Sequence, residues 1–201
     1  MIPDENDPYH LPANLDAPLD DGAARHLVGL PLPNVKLLST HDVEVDLQDL
    51  EHAVVFLFPR SGRPGQPAGE EWDRIPGARG CTPQALGFRD LHPAFRELGI
   101  QVYGISTQTS GYQREFAQRN RLPFELLSDS QLVLTRALRL PTFEFPVRDG
   151  GPSTLIKRMV WYIERGRIEK LWYPVFPPHE NAREVLAWML SLANEHATEA
   201  S

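Results

Sequence analysis

One short apolar segment limits the fold of this chain more than any other feature. Residues 53–58 read Ala-Val-Val-Phe-Leu-Phe and are followed by Pro59, so the segment has no polar position to face water. A strand that is apolar on both faces lies inside a sheet that is covered on both sides. We therefore expect an α/β protein with this strand well inside its sheet.

Strand and helix patterns alternate along the rest of the chain. Strand patterns predict a hairpin over residues 35–46, a strand over residues 100–105 and a second hairpin over residues 159–173. Four helices are predicted: one begins at Cys81, Ser110 and Asp129 each cap the start of another, and the last covers residues 185–192. The expected class is α/β, with a mixed central sheet, helices on both faces and an N-terminal β-hairpin.

The chain is predicted to consist of an arm, one domain and a short tail. Residues 1–24 combine six acidic residues with four prolines. This composition buries little apolar surface and indicates a loosely held arm, unless a partner or the domain surface pins it. Residues 25–195 are long enough for one domain with a sizeable core, and residues 196–201 form the tail.

Composition and charge argue against several classes of function. The chain has 20 Lys and Arg against 27 Asp and Glu, a net charge of −7 with the basic residues scattered, which disfavours nucleic-acid binding. No segment approaches the ~18 apolar residues that cross a bilayer, and the acidic start lacks the features of a secretory signal, so a cytoplasmic protein is expected. Seven histidines at no metal-ligand spacing and one cysteine argue against a zinc site.

The single cysteine, Cys81, is either a packing residue or a reactive one. Thr82 and Pro83 follow it, and a proline fits the first turn of a helix, so the sulfur is expected at a helix N-terminus. Free N–H groups and the helix dipole there favour the thiolate, which is the nucleophilic form. A packing cysteine belongs in an apolar periodic segment, whereas Cys81 follows the Gly- and Pro-rich stretch 59–80. A nucleophile is the better interpretation, and a small buried hydrophobe is the alternative.

The segment 80–90, which reads GCTPQALGFRD, resembles the active-site helix of the peroxiredoxin Q branch, also called bacterioferritin comigratory protein. Further stretches are similar to that branch in type and spacing, namely residues 104–106, 116–117, 122–129 and 157–164. The likeness covers roughly residues 28–192. It implies a thioredoxin-like fold and a thiol-dependent peroxidase that reduces hydrogen peroxide and organic hydroperoxides without a bound cofactor.

The resemblance also implies roles for particular residues. Cys81 is the peroxidatic residue, which becomes a sulfenic acid, and Arg158 is the strand arginine that faces it and stabilises developing negative charge. Without the resemblance, the better interpretation of Arg158 is a solvated charge at a strand end. The family usually has a threonine three residues before this cysteine, where the present chain has Ala78. Pro59 and Ser61, directly after the apolar strand, are the candidates for shielding the sulfur and for supplying the missing hydroxyl. The alternative for Ser61 is an ordinary turn residue.

Regeneration of the cysteine must differ from that of many relatives. Members of the branch often carry a second cysteine five residues after the first, and here Leu86 stands there. The sulfenic acid is therefore expected to be reduced by glutathione, a thioredoxin, a glutaredoxin or Cys81 of a second chain. The chain is expected to be a monomer or a homodimer, with residues 173–178 as a dimer contact or a rigid connector. The alternative function is a thioredoxin-fold redox sensor or binding protein with little peroxidase turnover.

Overall fold

A computed structural model describes residues 11, 15–66, 69–146 and 151–199. The strands are β1 (Lys36–Ser39), β2 (Glu44–Asp46), β3 (His52–Leu57), β4 (Gln101–Ser106), β5 (Glu125–Ser128), β6 (Thr142–Glu144), β7 (Thr154–Ile156), β8 (Met159–Glu164) and β9 (Arg167–Trp172). The α-helices are α1 (Glu70–Asp73), α2 (Cys81–Glu97), α3 (Ser110–Arg119), α4 (Val133–Ala137) and α5 (Asn181–Glu199). None of the helices in these ranges is long and apolar enough to cross a membrane.

Seven strands form one mixed sheet in the order β2-β1-β5-β4-β3-β8-β9. The apolar strand β3 lies inside it, parallel to β4 and antiparallel to β8. Helix α2 connects β3 to β4 and helix α3 connects β4 to β5, so both parallel pairs are joined by helical crossovers. The predicted mixed sheet, its buried strand and its N-terminal hairpin are confirmed.

The two faces of the sheet carry separate apolar clusters, because side chains alternate along β3. Val55 belongs to one cluster, which α4 covers, and Phe56 belongs to the other, which α2, α3 and α5 cover. Phe56 stacks on Phe88 of α2 with 4.8 Å between the ring centres. Helices therefore cover both faces, as predicted, and the second cluster also contains Cys81.

Several short elements do not follow from the sequence pattern. Strand β5 has only two buried residues between Glu125 and Ser128, too few to show a period, and it forms because β4 and β1 pair with it on either side. The pair β6–β7 and the four-residue helix α1 were also not predicted. Helix α3 is capped by Thr109 rather than by Ser110, because the Thr109 side chain accepts from the Tyr112 N–H.

Within the N-terminal arm, residues 15–24 lie against the domain. The Asp21 carboxylate accepts hydrogen bonds from Lys157 Nζ at 2.7 Å and from the Tyr173 hydroxyl at 2.8 Å. Contacts with the domain surface therefore hold this stretch of the arm in place. Residues 1–10 and 12–14 lie outside the described residues. At the other end of the chain, α5 runs to Glu199, into the stretch predicted to be a tail.

The hydrogen bonds of Asp21 set its protonation. The Lys157 side chain, then the Ala23 backbone N–H and the Tyr173 hydroxyl, lower the pKa of Asp21 from 3.8 to about 2. Burial and the contact with Asp21 raise the pKa of Tyr173. A charged carboxylate and a neutral phenol thus hold the arm across the neutral range of pH.

These contacts are expected to weaken in acid. Because the pKa of Asp21 is lower in the fold than in the unfolded chain, its stabilisation is complete above about pH 4 and is lost as pH falls towards 2. The pair is partly exposed, so its contribution is at most about 1 kcal/mol. Urea unfolding of the wild type and Asp21→Asn should differ by up to this amount at pH 6 and converge by pH 2. A difference that is the same at both pH values contradicts this assignment.

Candidate active site

Cys81 lies at the first position of the 17-residue helix α2. The preceding residue, Gly80, has φ +105°, a conformation that favours glycine, and a Cβ there would collide with Pro178. This glycine lets the chain enter the helix abruptly, so the sulfur lies at the helix N-terminus, as the Thr82-Pro83 pair predicts. The side chain of Cys81 is only 6% exposed.

Arg158 lies between β7 and β8, is 3% exposed, and donates from Nη2 to Cys81 Sγ at 3.1 Å. Its Nη1 donates to Gln84 Oε1 at 2.5 Å. The other acceptors of the guanidinium are the carbonyls of Gly77 at 3.2 Å, Ala78 at 3.0 Å and Arg79 at 3.2 Å. These bonds fix the orientation of the guanidinium, so that its Nη2 points at the sulfur. The structure thus brings together the two residues to which the resemblance gives the central roles.

The charge of Arg158 has no carboxylate partner among the described residues. Its acceptors are neutral oxygens and the sulfur of Cys81, so a thiolate is the anion that this buried cation can pair with. The 3.1 Å contact therefore places a buried positive charge directly beside the sulfur.

The Gly- and Pro-rich stretch before Cys81 supplies the three carbonyls that bind Arg158. Its helix α1 places Trp72 in a small apolar cluster with Phe143 and Phe145, which ties the stretch to the β6–β7 pair. Arg79, which the sequence places beside Cys81, directs its side chain to Asp73 at 2.9 Å. This segment is therefore a scaffold for Arg158, and the nearby cation of Arg79 is already paired.

Pro59 and Ser61 are both buried in the connection that leaves β3. The N–H and the hydroxyl of Ser61 donate to Gln108 Oε1 at 2.8 Å and 3.1 Å, and Gln108 Nε2 donates to the Ser61 carbonyl at 3.1 Å. Gln108 follows β4, so this network ties together the ends of two parallel strands. In the described residues the structure brings the Ser61 hydroxyl to Gln108, and no hydrogen bond joins it to Cys81.

Two polar residues of the site were missed by sequence reasoning. Gln84, fully buried, accepts from Arg158 and therefore must donate its Nε2, which reaches Asn181 Oδ1 at 2.9 Å. Among the described atoms, Asn181 Nδ2 is left without a partner. The position of Gln84, three residues after Cys81 and so on the same side of the helix, was an available signal. Asn181 begins a distant helix, and no local pattern points to it.

Gln84→Glu is expected to slow the chemistry of Cys81. A carboxylate at this position gives Arg158 a permanent anionic partner, which competes with the thiolate. Alkylation of Cys81 by iodoacetamide at neutral pH should slow roughly tenfold, the effect of about 1.4 kcal/mol. Gln84→Met removes the same hydrogen bonds without adding charge, so it should slow the reaction less. Equal rates for Gln84→Glu and the wild type, both folded, contradict the expected competition.

Comparison with known proteins shows which family the chain belongs to. Residues 28–170 match the model of the AhpC/TSA family. The chain belongs to that family. This peroxiredoxin is 31% identical over 147 residues to the chloroplastic peroxiredoxin Q of Sedum lineare. The alignment covers 73% of the present chain and 74% of the relative. It is also 27% identical over 151 residues to peroxiredoxin Bcp of Bacillus subtilis, and that alignment covers 74% of the present chain and 85% of the relative.

The fold of this peroxiredoxin also has a close counterpart among solved structures. Peroxidoxin BcpB from Mycobacterium tuberculosis superposes with a TM-score of 0.64 over 82% of this chain and 96% of that one, at 23% identity. The predicted thioredoxin-like fold and the predicted family are confirmed. This peroxiredoxin is a thiol-dependent peroxidase. Its residues 15–24 lie outside the stretch that the family model matches.

Proposed function

We propose that this peroxiredoxin reduces hydrogen peroxide and organic hydroperoxides at Cys81, in a cycle with one cysteine that an external thiol completes. The observation that carries this proposal is the 3.1 Å contact from Arg158 Nη2 to the Cys81 sulfur, at a helix N-terminus and with no carboxylate competing among the described residues. Because the chain has one cysteine, thiol chemistry has a single place to occur.

In the oxidative step the Cys81 thiolate attacks one oxygen of the hydroperoxide. A sulfur–oxygen bond forms and the O–O bond breaks, with its electron pair leaving on the second oxygen, which takes a proton and departs as water or an alcohol. Cys81 becomes a sulfenic acid. Arg158 stabilises the thiolate and the charge that develops on the departing oxygen. We propose that Pro59 shields the sulfur and that Ser61 positions the peroxide once its hydroxyl leaves Gln108.

In the reductive step two external thiols restore the enzyme. The first condenses with the sulfenic acid, releasing water and forming a mixed disulfide, and the second attacks that disulfide and frees the Cys81 thiol. Leu86 is buried on α2 at the position where many relatives have their second cysteine. Glutathione, a thioredoxin, a glutaredoxin and Cys81 of a second chain are the candidate reductants.

Mass spectrometry of the intact protein tests both steps. After one equivalent of peroxide, Cys81 should carry one added oxygen, and glutathione or thioredoxin should remove it with sustained peroxide consumption. If Cys81 gains no oxygen, it is not the peroxidatic residue. If it gains oxygen once but no thiol system sustains turnover, the chain acts as a redox sensor or binding protein, an alternative that the engaged Ser61 hydroxyl favours.

Further properties of this peroxiredoxin belong to the same proposal. We place it in the cytoplasm, as a monomer or homodimer with no resident cofactor and no nucleic-acid or membrane partner. We divide it into an arm (residues 1–24), one catalytic domain (residues 25–195) and a tail (residues 196–201). The acidic composition and the pattern of apolar residues support this division.

A further inference from the structure

The guanidinium of Arg158 binds Cys81 and Gln84 through two different nitrogens. Its Nη2 donates to Cys81 Sγ at 3.1 Å, and its Nη1 donates to Gln84 Oε1 at 2.5 Å. Because a guanidinium is planar and rigid, the position of Nη1 determines the direction in which Nη2 points. A contact that fixes Gln84 therefore also fixes the donor that faces the sulfur.

The side-chain amide of Gln84 can bind Arg158 in only one orientation. A guanidinium donates and never accepts, so the amide must present its oxygen to Arg158 and its NH₂ group to the opposite side. Gln84 is fully buried, and a buried NH₂ group without an acceptor costs about 1–3 kcal/mol. This orientation is therefore stable only if an acceptor lies on the far side of the amide.

Asn181 supplies this acceptor, because its Oδ1 lies 2.9 Å from Gln84 Nε2. Asn181 is only 1% exposed, so water competes little for this bond. Its Nδ2, in contrast, has no hydrogen-bond partner among the described residues. Of the two polar atoms of this side chain, the oxygen is thus the one that is used, and it is used to orient Gln84.

Close packing between α5 and α2 brings Asn181 to this position. A Cβ at Gly87 would lie 3.3 Å from the Ala182 Cβ, and a Cβ at Gly80 would collide with Pro178. Without these two Cβ atoms, the residues that lead into α5 can approach the first turns of α2. Asn181, the first residue of α5, is therefore held beside the start of α2.

We propose that Asn181 is a positioning residue for the reaction of Cys81. Its oxygen holds the Gln84 amide with Oε1 towards Arg158, and Gln84 in turn keeps Nη2 directed at the sulfur. If the amide turned over, its NH₂ group would face the guanidinium, and two donors would meet. The inference rests on the proposed roles of Cys81 and Arg158, and adds a residue that lies beyond residues 28–170, the stretch that the family model matches.

Asn181→Leu tests the proposal, because leucine has the same branching as asparagine but no acceptor. The freed Gln84 amide should hold Arg158 less well, so the thiolate of Cys81 should lose part of its stabilisation. In alkylation by iodoacetamide, the pH of half-maximal rate should rise by about 0.5, and the rate at neutral pH should fall about threefold. A role of Asn181 in packing alone does not displace this pH profile.

Two further variants at the same position complete the test. Asn181→Ala removes the same oxygen in a smaller side chain, and it replaces the leucine variant if that protein does not fold. Asn181→Asp keeps the oxygen that accepts from Gln84 Nε2. Its pH profile should therefore stay closer to that of the wild type than the profiles of the leucine and alanine variants.

A double-mutant cycle shows whether Asn181 acts through Gln84. In Gln84→Met the amide is absent, so adding Asn181→Leu should displace the pH profile no further, whereas two independent effects would add. The matched control is Met189→Ala, which removes a buried side chain about two turns further along α5. This control should lower the urea midpoint and leave the pH profile of alkylation unchanged.

An unchanged pH profile in the folded Asn181→Leu or Asn181→Ala protein overturns the inference. A full additional displacement in the Gln84→Met background overturns it as well, and so does a larger displacement in Asn181→Asp than in Asn181→Leu. Because alkylation needs no peroxide, the inference can fail while peroxide still oxidises Cys81 of the wild type. If the variants behave as expected but peroxide does not oxidise Cys81, the proposed function fails while the positioning role stands.

Discussion

Cys81→Ser is expected to abolish rapid peroxide consumption. A serine hydroxyl stays protonated at neutral pH and cannot accept an oxygen from the peroxide, so the variant loses both the nucleophile and the atom that is oxidised. The rate should fall by about 10³-fold or more, the scale seen when a covalent nucleophile is removed. Stopped-flow measurement of peroxide loss by the reduced protein checks this.

The serine variant also provides its own structural control. Serine differs from cysteine by one atom, and most of the hydrogen bonds that Arg158 donates are accepted by backbone carbonyls and by Gln84 Oε1. Circular dichroism and the urea midpoint should therefore stay close to those of the wild type. A folded Cys81→Ser protein that consumes peroxide as fast as the wild type would place the chemistry elsewhere in the chain.

Arg158→Met is expected to produce the second largest effect. Methionine fills much of the same space but removes the charge that faces the sulfur and the departing oxygen. The second-order rate constant with hydrogen peroxide should fall about 10²- to 10³-fold, as when a donor to a developing oxyanion is removed. Arg158→Lys keeps a charge but not the planar set of donors, so it should fall less, by about tenfold.

Loss of Arg158 also affects folding, and the experiment must separate the two effects. The variant leaves the carbonyls of Gly77, Ala78 and Arg79 without their donor, at about 1–3 kcal/mol for each buried acceptor that water does not reach. The rates should be measured at a temperature where both variants are folded by circular dichroism. A folded Arg158→Met protein with the wild-type rate contradicts the assigned role of the arginine.

Local patterns in the sequence predicted much of the fold. The apolar run at residues 53–58 predicts a strand covered on both faces, and β3 lies inside the seven-stranded sheet. The proline after Cys81 predicts a helix start at the cysteine, and α2 begins there. Strand β5 and the β6–β7 pair escaped prediction because their buried residues do not alternate with exposed ones, and pairing with neighbours makes them strands.

The functional site likewise contains residues that the sequence identified and contacts that only the structure revealed. The residue types and their likeness to a family were enough to single out Cys81 and Arg158. The neutral partner Gln84, the relay to Asn181 and the engagement of Ser61 by Gln108 join residues far apart in sequence, and no periodicity reports such contacts. The same is true of the arm, whose acidic composition predicts loose attachment unless the domain holds it.

The sequence by itself determined the fold class and the residue that can act as a nucleophile, because these depend on local propensity, apolar periodicity and one cysteine beside a helix start, and its resemblance to a known branch implied the family. Only the tertiary structure decided which groups surround the sulfur. A guanidinium 77 positions away along the chain and three carbonyls of the preceding stretch meet at this place. Long-range packing brings them together, and packing depends on the whole chain rather than on any one segment.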